Sequence, residues 1–250
     1  MASGNKIKPE IWHQWLQHSS TQRLLALEAG WLRDWIKQLR GHHLLYAGVD
    51  DRPKFIRRGR LAHAFCVSLP WQMPGSSHMA LMHESHWPLA DESLDVVVLQ
   101  HGLDMTRHPH QMVREAARCV VSNGYLIIVG FNPVSPWGAM RWVRTFSTQL
   151  PWVSNPVTSK RLRDWLTLLD FRVEQVQPVA HVWPWKIGSE SFSRRVNRVL
   201  AGQQGLPASA YILVARKTVA GMTPIRPMRW GFGPQFGVPA SAGYSRHSGE

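Results

Sequence analysis

HWPLADESLDVVVLQHGLDMTRHPHQMVREAARCVVSNGYLIIVGFNP, residues 86–133, is the stretch that decides the fold. Within it SLDVVVL, residues 93–99, is almost unbroken β-branched and apolar sequence, as expected of a central parallel strand covered on both faces. A helix follows, starting near Pro109, a favoured first-turn residue, with Met112, Val113, Ala116, Ala117, Val120 and Val121 on one stripe. Asn123 and Gly124 then turn the chain into a second buried strand, YLIIVGF.

The same alternation extends outward on both sides. Upstream, Leu24, Leu25, Trp31, Leu32, Trp35, Ile36 and Leu39 recur on a helical period from Ser19 to Arg40, with Ser19 and Gln22 at capping-box spacing and Gly41 as a stop. Short apolar runs at Leu44–Ala47 and Ala62–Leu69 read as strands. Downstream, Thr158 to Asp170 predicts a helix capped by Thr158 or Ser159 with Leu162, Trp165, Leu166 and Leu169 on one face; FRVEQVQPV and AYILVAR then follow as strands. Strands alternating with helices predict a Rossmann-like, doubly wound α/β fold with a mostly parallel sheet. Residues 1–41 are expected to form a helical segment packed on the core, 42–218 the α/β domain, and 219–250 a flexible basic tail rich in Pro, Gly and Ser.

With 250 residues and 44% apolar side chains, the chain can bury one large core. Its apolar runs fall well short of the roughly 20 residues that span a bilayer, and the N-terminus has no export pattern, so a cytoplasmic protein is expected. Cys66 and Cys119 read as small buried hydrophobes. The 29 Lys and Arg against 16 Asp and Glu make a strong cation, with clusters at Arg52, Lys54, Arg57, Arg58 and Arg60 and at Arg194, Arg195 and Arg198. No recognition module accompanies that charge, so it does not establish a nucleic-acid partner. Trp12 with Trp15, and Trp31 with Trp35, stand at helical spacing and read as packing residues.

Trp87, Pro88, Leu89, Asp91, Ser93 and Asp95, then His101, Leu103 and Asp104, then Arg118 to Gly124, match the motifs of one family in order. The stretch resembles the second half of class I S-adenosylmethionine-dependent methyltransferases of the methyltransferase type 11 group. Their L-P-F-x-D-x-S-F-D segment precedes the fourth strand, an H-x-L-E-H-like turn follows it, and the next helix ends in R-x-L-x-P-G-G. GFNPVSPWG, SKRLRDWLTLLDF and TPIRP resemble one proteobacterial subfamily. The resemblance implies seven strands with the last antiparallel, S-adenosylmethionine as cofactor, and a crevice at the carboxyl ends of the central strands. It is dense over residues 42–225 and weakest at the front.

The front departs from the family. The glycine-rich loop after the first strand is LLYAGVDDRP here, with Gly48 its one glycine, and the helix after it shrinks to Pro53–Arg58. The acid that ends the second strand is missing from CVSLP, and the aspartate before the L-P-F segment is replaced by His83, with Glu84 beside it. Each lost charge-assisted hydrogen bond costs roughly 1.5–3 kcal/mol unless replaced, and Asp50, Asp51 and Glu84 are the candidate replacements. By this resemblance Tyr46, Gly48, Asp50, His83, Glu84, Trp87 and Gln100 are expected to face the cofactor. His101 and Asp104, just past the fourth strand, are the candidate catalytic pair, with a general base as one reading and a surface histidine beside a helix-capping aspartate as the other.

No metal site is expected: His78, His83 and His86, like His108 and His110, lack carboxylate or thiol partners at ligand spacing. GFNP follows the fifth strand and lacks the second proline and aromatic of the N-P-P-Y motif of DNA-modifying enzymes. The expected activity is methyl transfer to an unidentified acceptor, with a small molecule as one candidate and nucleic acid left open without a motif to support it. The competing reading is an inactive, methyltransferase-like scaffold with a basic surface.

Overall fold

The computed structural model describes residues 9–50, 53–56, 60–72, 80–136, 138, 150, 152, 154–179 and 207–218. The expected tail, 219–250, lies outside the described residues, as do Asp51, Arg52, Arg57, Arg58, His78, Arg194, Arg195 and Arg198. In chain order the elements are α1 (Pro9–Gln17), α2 (Ser19–Ile36), β1 (Arg40–Gly48), β2 (Arg60–Ser68), β3 (Ala80–Leu81), β4 (Leu94–Gln100), α3 (Gly102–Met105), α4 (Pro109–Cys119), β5 (Val120–Phe131), α5 (Ser159–Leu168), β6 (Phe171–Val179) and β7 (Ala210–Lys217).

The strands form one seven-stranded sheet in the order β3-β2-β1-β4-β5-β7-β6. β1 pairs parallel with β2 and β4, β4 parallel with β5, and β7 runs antiparallel to both β5 and β6. This is the doubly wound architecture expected, with the antiparallel strand last. The order reverses at β1, between its neighbours β2 and β4, so the carboxyl ends of β1 and β4 lie at the switch point where doubly wound sheets bind ligands.

Strand alternation sends successive side chains to opposite faces. Leu45, Ala47, Val97, Leu99, Leu126 and Ile128 pack with Met112, Val113 and Ala116 of α4 and Leu162 and Leu166 of α5. Leu44, Tyr46, Val96, Val98, Ile127 and Val129 pack on the other face with Leu32 and Ile36 of α2. Trp12 and Trp15 of α1 and Leu24 of α2 join the first cluster. α2 therefore serves both cores, its first half on one and its second half on the other. No helix among the described residues is long and apolar enough to cross a membrane.

Two boundaries differ from the sequence expectation. α2 ends at Ile36, and Gly41 lies inside β1 instead of stopping a helix. A Cβ at Gly41 would come within 2.6 Å of the Asp95 side chain, whose carboxylate accepts the His42 and His43 amide protons at 2.9 Å each. α4 ends at Cys119, so Val120 and Val121 belong to β5, where Val120 pairs with Leu94. Lys217 of β7 makes the early exit stable, because its ammonium donates to the Ala117 and Val120 carbonyls at 3.0 and 2.7 Å. The cap expected for α5 is present: Thr158 Oγ1 accepts the Arg161 amide proton at 3.2 Å.

Candidate active site

β4 ends at Gln100, and His101 turns the chain with a left-handed φ of 55°, a sparsely populated conformation for a side-chain-bearing residue. The bend is held by the His101 amide, which donates to the Val129 carbonyl at 2.8 Å. From this exit a hydrogen-bonded chain runs across the ends of three strands. The Asp50 amide donates to the Tyr46 hydroxyl at 3.1 Å, and that hydroxyl donates to Gln100 Oε1 at 2.7 Å. Gln100 Nε2 donates to Glu28 Oε2 at 2.7 Å, and His101 Nε2 reaches Glu28 Oε1 at 3.1 Å. His101 Nδ1 lies 2.8 Å from Asp104 Oδ2, which also accepts the Phe131 amide proton at 3.0 Å.

The electrostatics of this chain follow from burial. Glu28 and His101 are 0% exposed and Asp104 is 1% exposed. Burial alone would lower the His101 pKa, but the carboxylates of Glu28 and Asp104 on its two sides override that and hold it at about 10. Geometry is compatible with this, since each ring nitrogen faces a carboxylate oxygen that can accept a proton bond. Burial pushes the Asp104 carboxyl up, against the hydrogen bond from His101 and the charge of the imidazolium. Burial also pushes the Tyr46 phenol well up, keeping it protonated and able to donate. Aromatic rings close over the imidazolium: Phe131 lies 4.3 Å away centroid to centroid, and Trp15 of α1 meets it edge-on at 6.1 Å.

These contacts correct three sequence-derived expectations. His101 is not a surface residue: it is buried between the carboxylates of Glu28 and Asp104, which favour its protonated form. Asp104 does not cap a helix from the surface; it is the buried counter-ion of His101. Gly48 and Tyr46 also turn toward the chain itself. A Cβ at Gly48 would meet the Tyr46 hydroxyl at 2.7 Å and Gln100 Cβ at 2.8 Å, so the glycine makes room for its own neighbours. Its carbonyl accepts from Gln72 Nε2 at 2.5 Å, while Gln72 Oε1 accepts the Leu69 amide proton at 2.7 Å.

Trp87, Glu84 and His83 form a second group before β4. Trp87 is 4% exposed and packs in the same core as Leu69, Trp71 and Met82, and its indole Nε1 is buried without a hydrogen-bond partner. The Trp87 backbone is anchored at both ends, its amide to Glu115 Oε2 at 3.0 Å and its carbonyl to Arg118 at 3.0 Å. The Arg118 hydrogen bond draws the Glu115 carboxyl below its usual range. Glu84 is hydrogen-bonded by the Thr106 hydroxyl, which in turn accepts the His108 amide proton at 3.0 Å. His83 is exposed, with its Nδ1 3.0 Å from the Ser85 hydroxyl, and the Asp50 side chain is exposed at the end of β1.

The motif carboxylates turn out to build loops. Asp91 pairs with Arg118, Asp95 pins the start of β1, and the Ser93 hydroxyl donates to the Ala90 carbonyl at 2.7 Å. Glu28, Trp15 and Gln72 are the residues that sequence reasoning missed. Glu28 had a signal: it stands one turn from Leu24 and one from Leu32, a carboxylate on an apolar stripe. Gln72 had none.

A family model described as a methyltransferase domain matches residues 29–128, from the middle of α2 to the second half of β5. The uncharacterized protein YafS of Escherichia coli (strain K12) is 30% identical over 198 residues, 79% of this chain and 77% of YafS. The chain belongs to the class I S-adenosylmethionine-dependent methyltransferases. Solved methyltransferases share the fold. A Thermotoga maritima S-adenosylmethionine-dependent methyltransferase superposes with a TM-score of 0.57 at 14% identity, covering 84% of this chain and 96% of that one. Geranyl diphosphate C-methyltransferase of Streptomyces coelicolor, in complex with S-adenosylhomocysteine, gives 0.54 at 12% identity, covering 79% and 80%. The methyltransferase family implies S-adenosylmethionine as the cofactor.

Proposed function

We propose that this methyltransferase moves the methyl group of S-adenosylmethionine to a small-molecule acceptor at the carboxyl ends of β1 and β4. The observation that carries the reading is the unpartnered indole N–H of Trp87, buried beside Leu69, Trp71 and Met82. An orphaned buried donor between apolar side chains suits a flat heterocycle bearing an acceptor nitrogen, which is the chemistry of adenine. The remaining donors and acceptors fit by charge. Asp50 supplies a carboxylate for an ammonium, with Gly48 and Gln100 behind it. Glu28, His101 and Asp104 together hold one more carboxylate than cation, which favours a sulfonium. Glu84 and His83 flank the adenine side.

The bound cofactor supplies an activated methyl on a good leaving group, so alignment and exclusion of water are what the protein must add. His101 and Asp104 serve that need as a fixed, charge-balanced wall. Tyr46 acts through Gln100, which it holds from the β1 side. We take residues 1–41 as the cap and 42–218 as the methyltransferase domain of a cytoplasmic enzyme.

Calorimetric titration of the full chain with S-adenosylhomocysteine tests the reading. Micromolar binding is expected, and Trp87→Phe, which keeps the ring and removes the N–H, should weaken it about 3- to 10-fold. Absence of heat and of any thermal shift at millimolar ligand would end it.

A further inference from the structure

Glu28 is the one charged residue on the buried stripe of α2, between Leu24, which packs in one core, and Leu32, which packs in the other. That position sets its carboxylate over the strand ends, where both cores stop. Its two oxygens face Gln100 Nε2, which donates to one of them, and His101 Nε2, consecutive residues at the β4 exit. Everything else in the polar chain depends on those two. Gln100 fixes the Tyr46 hydroxyl and through it the Asp50 amide, and His101 fixes Asp104 and through it the Phe131 amide.

We propose that Glu28 is a positioning residue that makes closure of the α1–α2 cap and assembly of the active site a single event. The inference rests on the methyltransferase reading for what is assembled, and on contacts alone for how. With the cap in place, His101 has an acceptor at each ring nitrogen and lies beneath Trp15. With the cap lifted, His101 loses its Nε2 partner and Trp15, and Gln100 loses the acceptor that orients its amide. Closure also buries the Thr21 hydroxyl of α2 without a partner, so the closed state contains one unfavourable burial that the bonds of Glu28 offset. The same helices bury Trp12, Trp15, Leu24, Leu32 and Ile36, so packing holds the cap on the sheet and the Glu28 carboxylate fixes its register over the site.

The groups that face His101 set the readout. They are Glu28 from α2, Asp104 from α3, and the uncharged Trp15 of α1 and Phe131 of β5. Removing the Glu28 charge should therefore change the protonation of His101 and the opening of the cap together, whereas a residue that only packs would change stability alone.

The test compares wild type, Glu28→Gln and Glu28→Ala as full chains. By nitrogen-15 NMR the His101 ring should stay doubly protonated through neutral pH in wild type, and its titration midpoint should fall by one unit or more in Glu28→Gln. Amide exchange over residues 9–36 should quicken about 100-fold in Glu28→Ala, with β4 and β5 still protected. Glu28→Gln, which keeps shape and one acceptor, carries the test if Glu28→Ala does not fold. Affinity for S-adenosylhomocysteine should fall in both variants. Unchanged His101 titration and unchanged exchange over 9–36 would overturn the proposal. Wild type that binds no S-adenosylhomocysteine yet shows both Glu28 effects would overturn the methyltransferase reading and leave the cap coupling standing.

Discussion

The two ends of β4 carry polar residues in similar number and use them in opposite ways. Around the loop before β4, Asp91, Ser93, Asp95, Glu115 and Arg118 bind backbone groups and one another at or near the surface. Across the strand ends, Glu28, Tyr46, Gln100, His101 and Asp104 bind side chain to side chain with water excluded. The first set is local scaffolding that solvent can partly replace. The second is a network whose members share partners out of reach of water, and such networks are costly when half-satisfied.

That contrast sets the largest expected effect. His101→Ala leaves two carboxylates buried without their cation and should destabilise the fold by about 3–5 kcal/mol in urea unfolding. The pH dependence sharpens the point. The native imidazole titrates near 10 against about 6.5 in the unfolded chain, so the folded state keeps a proton that the unfolded state releases. Stability from this source is complete below about pH 6.5 and is lost as pH rises through 10. The raised Asp104 carboxyl pulls in the same direction, because it too favours the protonated side. Wild type should lose melting temperature steadily across that window, His101→Ala should lose far less, and parallel pH curves for the two would break the comparison.

Asp95→Ala should cost less, about 2 kcal/mol, although it removes the acceptor of two β1 amides. The His42 and His43 amides lie at an exposed strand start, where water can take the place of the carboxylate. A loss as large as that of His101→Ala would mean that the surface set is as indispensable as the buried one.

Legibility in the sequence divides along the same line. SLDVVVL, the α4 stripe and YLIIVGF revealed the sheet because alternation and helical period are written in adjacent residues. His101, Asp104, Gln100 and Tyr46 could be picked out because they sit at strand ends, which a family pattern locates. Their state could not. Whether His101 accepts or holds a proton depends on Glu28, 73 residues away in the chain, and periodicity carries no information about which distant carboxylate a helix brings over a strand end. Gly41 was misplaced for a related reason: the group that forbids a side chain there is Asp95, far along the chain. Val120 and Val121 fitted a helical stripe as well as a strand, and pairing of Val120 with Leu94 decided between them.

Gly48 gives the smallest and most pointed test. The residue looks like the remnant of a cofactor-binding loop, but the space a Cβ would need is occupied by the Tyr46 hydroxyl and Gln100. Gly48→Ala should therefore destabilise the apo protein by about 1–2 kcal/mol through overpacking, with no cofactor needed to see it. Tyr46→Phe removes the hydroxyl, the nearest of three atoms that the new methyl would strike, and leaves Tyr46 Cζ and Gln100 Cβ at 2.8 Å, at the cost of the bonds to Gln100 and Asp50. If the glycine is there to seat that hydroxyl, the double variant should be more stable than the sum of the two single losses predicts, by about 1 kcal/mol in a thermodynamic cycle. Strict additivity, together with a Gly48→Ala effect visible only in S-adenosylhomocysteine binding, would return Gly48 to the cofactor and make the two ends of β4 more alike than the buried network implies.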